Sequence, residues 1–241
     1  MAATTKEVAR HVLHRLGLVG FLETVSGRNK AYLAHDNVAD RFSHIYRDAV
    51  WRRGKTDVPL SGEGSSLEAT EILRAELPRL LKRLGARSML DLGCGDFTWM
   101  SEVDLRGIQY FGADIVPDVI ARNQNRFDTA ERTFIVANGI VDDLPSADVV
   151  LCREVLFHLS FADAKSLLRK ALATGAQHFL LTTDSMTRVN SDIRTGDFRV
   201  LNLTAGPFRL PEPSVSIEES QSLSGRTLGL WPSEDVRRAM G

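Results

Sequence analysis

Two glycines and two aspartates are spaced in a way that suits the binding of an adenosine group. The segment Leu90–Trp99 reads LDLGCGDFTW, so an apolar run leads directly into Gly93 and Gly95. Because glycine has no side chain, the backbone of this turn can approach a ligand closely. Asp114 ends the next apolar run, 23 residues after Asp91, and a carboxylate at this separation is suited to accept hydrogen bonds from both ribose hydroxyls. The pattern therefore predicts a ligand that contains adenosine.

The neighbours of the glycines help to distinguish between adenosine ligands. A dinucleotide site needs a third glycine to bring the helix close to the pyrophosphate, and Thr98 occupies that position. Asp91 and Asp96 flank the two glycines; their charges are unfavourable beside pyrophosphate but suit a ligand with an ammonium and a sulfonium. The Asp-x-Gly-x-Gly motif resembles the first motif of the class I S-adenosylmethionine-dependent methyltransferases, and the resemblance covers residues 65–184.

The resemblance implies S-adenosylmethionine as the cofactor and assigns its contacts. Asp91, Gly93 and Gly95 would surround the methionine part, Asp114 would bind the ribose, and Asn138 with Gly139 would line the adenine. Many relatives have an acidic residue at the position of Asn138, which leaves that contact open. The predicted cofactor-binding residues are Asp91, Gly93, Cys94, Gly95, Asp114, Ile115, Asn138, Gly139 and Arg153.

The segment after the fourth predicted strand should face the methyl acceptor. It lacks the Asn/Asp-Pro-Pro-aromatic motif of amino-group and adenine methyltransferases, and Cys152 is predicted to be a small buried residue within the strand. His158 and Glu154 are the predicted catalytic residues, because a histidine can remove the proton from a hydroxyl as it attacks the methyl carbon. A structural histidine ahead of a Ser160 helix cap, and a pocket-wall or surface role for Glu154, are the alternatives.

The last third of the chain mixes amide, carboxylate and guanidinium groups with Phe198 and Phe208. Such a mixture suits a saccharide, which presents hydroxyl edges and apolar C–H faces, although a polar surface loop would have a similar composition. Together with Gly62–Ser66 and Leu228–Trp231, the segment resembles a bacterial subfamily of small methyltransferases. This resemblance implies an acceptor such as the 1-hydroxyl of a 3-O-methylated mannoside in methylmannose polysaccharide synthesis. The predicted substrate-binding residues are Asn190, Asp192, Thr195, Arg199 and Asn202.

The predicted function is S-adenosylmethionine-dependent O-methylation of a sugar or oligosaccharide hydroxyl. Methylation of a small natural product or of RNA, and a non-catalytic module that binds the cofactor, remain alternatives. Magnesium is a possible further cofactor, with oxygen and nitrogen ligands available from Glu154, His158, Asp184 and Asp192, but no residue is assigned as a metal ligand.

Short apolar runs alternate with amphipathic segments and therefore predict an α/β fold. We expect a Rossmann-like, seven-stranded, mostly parallel sheet with helices on both faces, an N-terminal helical cap and an antiparallel C-terminal edge. Helices are predicted at residues 4–25, at Asp40–Arg52 and at Pro117–Phe127. A further helix is predicted from Leu67, after a Ser65–Glu68 capping box.

Charge divides the 241-residue chain into two regions. Residues 1–60 carry 10 Lys and Arg against 6 Asp and Glu, whereas the whole chain has 30 against 31. We predict an N-terminal cap, lid or dimer element at 1–60 and a methyltransferase domain at 61–241, with a cofactor half at 65–184 and an acceptor-binding part at 185–241. The balanced total charge disfavours a general nucleic-acid binder, and two cysteines cannot form a disulfide framework. We expect a cytoplasmic protein that acts on a small saccharide and has no membrane or nucleic-acid partner. Both a monomer and a homodimer are compatible with the sequence.

Overall fold

The computed structural model describes residues 30–219 and 225–241, together with Val12 and Leu16. Its strands are β1 (Ser88–Leu92), β2 (Gln109–Asp114), β3 (Arg132–Val136), β4 (Val149–Cys152), β5 (His178–Asp184), β6 (Val215–Glu218) and β7 (Arg226–Pro232). Its α-helices are α1 (Val38–Arg47), α2 (Glu71–Arg83), α3 (Pro117–Phe127), α4 (Phe161–Ala173) and α5 (Ser233–Met240). The helix predicted at residues 4–25 lies outside the described residues.

The seven strands form one sheet in the order β3-β2-β1-β4-β5-β7-β6. Neighbouring strands from β1 to β5 pair in parallel, and β7 pairs antiparallel with both β5 and β6. The predicted Rossmann-like sheet with an antiparallel C-terminal edge is therefore confirmed. The chain crosses from β3 back to β4 beside β1, and at such a reversal of strand order the carboxyl ends of the strands open a crevice for a ligand.

Alternate residues of the central strands are buried on opposite faces of the sheet. Leu90 and Leu92 of β1 belong to one hydrophobic cluster, and Met89 belongs to the other. The first face is covered by α4 and α1, and the second by α2. This burial on both faces explains why the strands read as continuous apolar runs. Each fully buried leucine contributes about 2 kcal/mol to the stability of the sheet.

Two predicted helix boundaries were wrong. The helix assigned to Leu67 onward begins at Glu71; Ser65 lies in a 3₁₀ turn and Leu67 is 44% exposed. The capping box therefore marks a turn, in which the Ser66 hydroxyl accepts the N–H of Ala69 at 3.1 Å. Apolar spacing continued into this turn by chance and extended the predicted helix by one turn.

The helix predicted at Asp40–Arg52 is divided into two elements. It begins earlier, at Val38, because the Asn37 side chain accepts the N–H of Ala39 at 2.7 Å and caps the first turn. It ends at Arg47, and Ala49 then adopts the left-handed conformation at φ 49°. Val50–Arg52 form a separate 3₁₀ turn that carries Trp51. No sequence signal marks this break, since alanine rarely adopts a positive φ.

The described part of the predicted cap packs directly on the sheet. Phe42, Ile45 and Tyr46 of α1 belong to the same hydrophobic cluster as Leu90 of β1. Helix α1 is thus held over the carboxyl ends of the strands rather than projecting from them. None of the helices that the structure describes is long and apolar enough to cross a bilayer.

Candidate active site

A cavity opens at the carboxyl ends of β1 to β4 and is closed from above by the N-terminal helices. Four apolar or aromatic side chains form the cover: Val38, Phe42, Tyr46 and Trp51. Eight of the sequence-predicted residues line the wall at or just after the ends of these strands: Gly93, Asp114, Ile115, Asn138, Gly139, Arg153, Glu154 and His158. The strand order brings these residues together, although 65 positions separate Gly93 from His158 in the sequence.

Asp114 ends β2 with its carboxylate held by the backbone. Its Oδ2 accepts the N–H of Gly95 and its Oδ1 accepts the N–H of Val116, both at 3.0 Å. Burial raises the pKa of Asp114 to about 6, even though these backbone N–H groups oppose the shift. Each oxygen keeps acceptor capacity because a carboxylate has about four lone-pair sites. The position can therefore accept hydrogen bonds from two neighbouring hydroxyls of a ligand.

The turn after β1 requires glycine for two reasons. Gly93 and Gly95 have φ values of 72° and 57°, which side chains disfavour. A Cβ on Gly93 would lie 2.3 Å from Val155 Cγ2, and a Cβ on Gly95 would lie 2.5 Å from Ser61 Oγ. The glycines therefore let the segment around Ser61 and the turn after β4 approach the β1 turn closely.

Ser61 is a cavity residue that the sequence analysis missed. Its hydroxyl accepts the N–H of Asp96 at 2.9 Å, and its own N–H donates to Asp96 Oδ2 at 3.1 Å. Tyr46 of the cover donates its hydroxyl proton to Ser61 Oγ at 3.3 Å. A lone serine in a polar segment gives no signal of this role, because its partners are distant in sequence.

Three predicted cofactor residues lie behind the cavity wall rather than on it. Asp91 accepts the Tyr110 hydroxyl at 2.7 Å, and burial raises the pKa of Asp91 to about 7. Cys94 is buried, and the Gly95 carbonyl accepts the Asn123 side chain at 2.8 Å. Asp91, Cys94 and Gly95 thus support the turn that presents Gly93 to the cavity.

Asn138 and Gly139 follow β3 and form the far wall. The Asn138 side-chain oxygen accepts the N–H of Ile140 at 3.1 Å, and the Asn138 N–H donates to Asp142 Oδ2 at 2.8 Å. These bonds fix the turn and bring Ile140 to the cavity as well. Ile140 adds apolar surface to the wall beside Asn138.

The wall beneath the cover contains two ion pairs. Glu154 is paired with Arg226 of β7, and Arg153 lies 3.2 Å from Glu219 Oε2. Arg153 also donates to the Gly64 carbonyl at 2.8 Å. Although burial opposes it, Arg226 and Arg153 lower the pKa of Glu154. Because each charge has a partner of opposite sign, this wall is polar but close to neutral.

Glu219 and Arg226 were missed because they lie in the region predicted only as antiparallel strands and loops. Thr182 of β5 links the two pairs, since its hydroxyl donates to Glu219 Oε1 at 2.7 Å and accepts the Glu154 N–H at 3.0 Å. Glu154 has φ 60°, so its backbone adopts a conformation that non-glycine residues disfavour. Strain of this kind is common where a side chain must be presented to a site.

His158 has one ring nitrogen available as a base. Its Nδ1 lies 2.8 Å from the Asp197 carbonyl oxygen; a carbonyl can only accept, so Nδ1 carries the proton and Nε2 keeps its lone pair. Burial lowers the pKa of His158, which keeps the ring neutral at physiological pH. Trp51 and Phe198 pack beside the ring, with centroid distances of 4.8 Å and 5.4 Å.

None of the five predicted substrate-binding residues lines this cavity. Arg199 is fully buried and donates to the carbonyls of Leu156 and Leu159 at 2.7 and 2.9 Å. Two of the others bind within the loop, Asn190 to the Asn202 and Gly206 carbonyls and Asn202 to the Thr187 carbonyl. The remaining two bind the start of α4, where Asp192 accepts the Phe161 N–H and the Thr195 hydroxyl donates to the Asp163 carboxylate. The long loop between β5 and β6 contains no strand in the described chain, so these side chains supply many of its hydrogen bonds. This explains the composition that suggested a saccharide site.

The four side chains considered for magnesium do not converge. Asp192 is bonded to the start of α4, and Asp184 Oδ1 accepts the Met186 N–H at 2.9 Å. Across residues 30–219 and 225–241, no three His, Cys, Asp or Glu side chains lie close enough together to hold a metal ion.

Comparison with known proteins agrees with this fold. Residues 90–174 match the family model described as a methyltransferase domain, and this segment contains all of the sequence-predicted residues on the cavity wall. The chain has the fold of the N-methyltransferase NodS from Bradyrhizobium japonicum, at TM-score 0.56 and 15% identity, over 78% of this chain and 98% of that one. Magnesium protoporphyrin IX methyltransferase from Synechocystis gives TM-score 0.49 and 19% identity, over 63% and 72% of the two chains. Both were crystallised with S-adenosylhomocysteine. No curated protein sequence matches the chain.

Proposed function

We propose that this protein is an S-adenosylmethionine-dependent methyltransferase that methylates a hydroxyl group. The observation that carries the proposal is the position of Asp114, whose buried carboxylate lies on the cavity wall beside the glycine turn of a methyltransferase fold. S-adenosylmethionine would supply a methyl group on a positively charged sulfur. The chain's own residues then have to bind the cofactor and the acceptor, orient them towards each other and exclude water.

Different parts of the cavity wall would bind the ribose, the adenine and the methionine part of that cofactor. Asp114 would accept the two ribose hydroxyls, and Ile115, Asn138 and Gly139 would enclose the adenine. Gly93 leaves room for the methionine part. The Arg153 Nε is buried and has no hydrogen-bond partner within the described chain, which suits a ligand that brings an acceptor group to this wall.

His158 would act as the general base at the acceptor end of the cavity. Its neutral ring and unprotonated Nε2 allow it to take the proton of a hydroxyl as the oxygen attacks the methyl carbon. Glu154 is the second predicted catalytic residue, and its pairing with Arg226 favours the ionised form. As an ionised acceptor it would orient the substrate hydroxyl rather than donate a proton.

A saccharide is the acceptor class that we propose. Trp51 and Phe42 supply aromatic surface for the apolar C–H face of a sugar ring, and Glu154 supplies an acceptor for hydroxyls. The paired charges of Arg153 and Glu154 disfavour a polyanion such as RNA, which binds where cations lack internal partners. A small neutral natural product is the second candidate, favoured by the apolar cover. Neither the family match nor the similar structures support the narrower expectation of methylmannose polysaccharide synthesis.

A transfer assay with radiolabelled S-adenosylmethionine tests the activity. Mono- and oligosaccharides, nucleosides, phenolic natural products and RNA would be offered in parallel. We expect label to enter a saccharide and to be lost in the His158→Gln variant. Transfer to RNA with strong salt dependence would overturn the acceptor class, and label entering a nitrogen of the acceptor would overturn O-methylation.

A further inference from the structure

The loop that carries Asp197 holds His158 through two hydrogen bonds. The Asp197 carbonyl accepts the His158 Nδ1 proton at 2.8 Å, and the Gly196 N–H donates to the His158 carbonyl at 2.8 Å. The ring and the backbone of His158 are therefore both fixed by residues 196–197. Movement of this loop would break the hydrogen bond between Nδ1 and the Asp197 carbonyl. The other neutral tautomer, in which Nε2 is protonated, could then form.

The N-terminal segment holds the same loop by an ion pair. Lys30 Nζ lies 2.7 and 2.8 Å from the two carboxylate oxygens of Asp197, and the Asp197 side chain is 8% exposed. Lys30 thus neutralises a nearly buried carboxylate on the residue whose carbonyl orients His158. Asp197 Oδ1 also accepts the Phe198 N–H at 2.9 Å, which stiffens the same turn.

Arg41 of α1 forms a second connection. Its guanidinium donates to the Thr195 carbonyl at 2.8 Å and to the His35 carbonyl at 2.6 Å. The aliphatic part of Arg41 packs on Gly196, where a Cβ would lie 3.3 Å from Arg41 Cδ. Gly196 itself has a φ of 103°. The loop is therefore bound to the cap on both sides of Gly196, by a charge at Asp197 and by backbone bonding at Thr195.

We propose that Lys30 and Arg41 are positioning residues for catalysis, which hold His158 in the Nδ1-protonated tautomer by fixing residues 195–197. The inference deepens the proposed function, because it rests on His158 as the base. It also assigns a task to the basic N-terminal segment, for which the sequence predicts a cap, a lid or a dimer element. The cap thereby contributes to the acceptor site, because without it the unprotonated nitrogen of His158 would no longer be fixed at Nε2.

The tautomer can be measured without knowing the acceptor. A long-range proton–nitrogen correlation spectrum of the nitrogen-labelled protein distinguishes the two neutral tautomers of each histidine, and His158→Gln identifies the relevant signals. Lys30→Met removes the charge, Lys30→Arg retains it, and Asp197→Asn removes the carboxylate while leaving the backbone intact. Lys55→Met is the matched control, because Lys55 forms an exposed ion pair with Glu63 at 3.0 Å on the same segment.

We expect the wild type, Lys30→Arg and Lys55→Met to show one tautomer of His158, with Nε2 unprotonated. Lys30→Met and Asp197→Asn should add the second tautomer while their binding of S-adenosylhomocysteine, measured by calorimetry, stays unchanged. An unchanged tautomer in both variants would overturn the proposal, as would a wild-type His158 that carries its proton on Nε2. Failure of the proposed function would appear differently, as an absence of cofactor binding or methyl transfer in the wild type itself.

Discussion

The Asp114 carboxylate accepts the backbone N–H of Gly95 at 3.0 Å, and this bond joins the end of β2 to the turn that follows β1. The bond fixes the carboxylate beside the glycine turn before any ligand binds. Because β1 and β2 are adjacent and parallel, with Asp91 opposite Gly112, the ends of the two strands meet at the same edge. Preorganisation of this kind reduces the ordering cost of binding.

His158→Gln should abolish most methyl transfer while leaving the cofactor affinity almost unchanged. Removal of a general base costs about a hundredfold to ten-thousandfold in rate. The cofactor affinity should not change, because His158 is not one of the residues proposed to bind the cofactor. Single-turnover rates and calorimetric titration with S-adenosylhomocysteine separate the two quantities. His35→Gln, at an exposed position of the cap, is the control; near-normal turnover of His158→Gln would exclude it as the base.

Cofactor affinity should rise with pH through about 6. In the free protein burial raises the pKa of Asp114 to about 6, so the stability that its protonated form provides is lost as the pH rises through that value. A ligand whose two hydroxyls donate hydrogen bonds to Asp114 binds the ionised carboxylate. Its affinity therefore increases over the same pH interval. Calorimetry of S-adenosylhomocysteine from about pH 5 to about pH 8 measures this. Asp57→Asn, at an exposed position outside the cavity, should keep the profile, and Asp114→Asn should flatten it. Affinity that falls as the pH rises would contradict the role of Asp114.

Gly95→Ala should destabilise the protein more than Gly85→Ala does. Both glycines have positive φ, at 57° and 64°, so both variants pay a conformational cost of about 1 kcal/mol. A Cβ at Gly95 also meets Ser61 Oγ at 2.5 Å and the Tyr46 hydroxyl at 3.0 Å, whereas a Cβ at Gly85 meets nothing within 4 Å. We expect a total loss of about 2–3 kcal/mol for Gly95→Ala in urea unfolding. Equal losses in the free energy of unfolding would show that the close approach of Ser61 to Gly95 does not affect stability.

Arg226→Met should reduce the free energy of unfolding by about 2 kcal/mol at neutral pH, because it leaves Glu154 without its closest cation. Lys55→Met breaks an exposed pair and should cost about 0.5 kcal/mol or less. In the wild type the pKa of Glu154 is lowered, so its contribution is present above its ordinary pKa and is lost as the pH falls through the lowered one. The difference between wild type and Arg226→Met should therefore shrink in acid, and a constant difference would argue against the ion pair as its cause.

Local patterns were sufficient for the parallel part of the sheet. Helix α3 begins and ends where predicted, since Pro117 suits a first turn and the apolar spacing continues to Phe127. Gly93 and Asp114 were located because their roles follow from the ends of adjacent strands. The signal in each case lies within one element or in the distance between two.

Other parts of the cavity wall were less predictable because they depend on contacts between distant segments. Ser61 and Arg226 reach the wall region through Asp96 and Glu154, and neither pairing leaves a trace in local sequence. Arg199 was predicted to bind a substrate because sequence alone does not distinguish a buried arginine that donates to carbonyls from a surface arginine. The left-handed turn at Ala49 was likewise invisible, since only the tertiary structure stabilises it.

The most direct test of the account is the calorimetric affinity for S-adenosylmethionine of the wild type, Asp114→Ala and Asp57→Ala. Loss of hydrogen bonds to a charged group costs about 1.5–3 kcal/mol, so Asp114→Ala should bind about tenfold to a hundredfold more weakly. Asp57 is exposed and outside the cavity, so Asp57→Ala should bind like the wild type. Equal affinity of all three proteins, or no binding by the wild type, would contradict the proposed cofactor site.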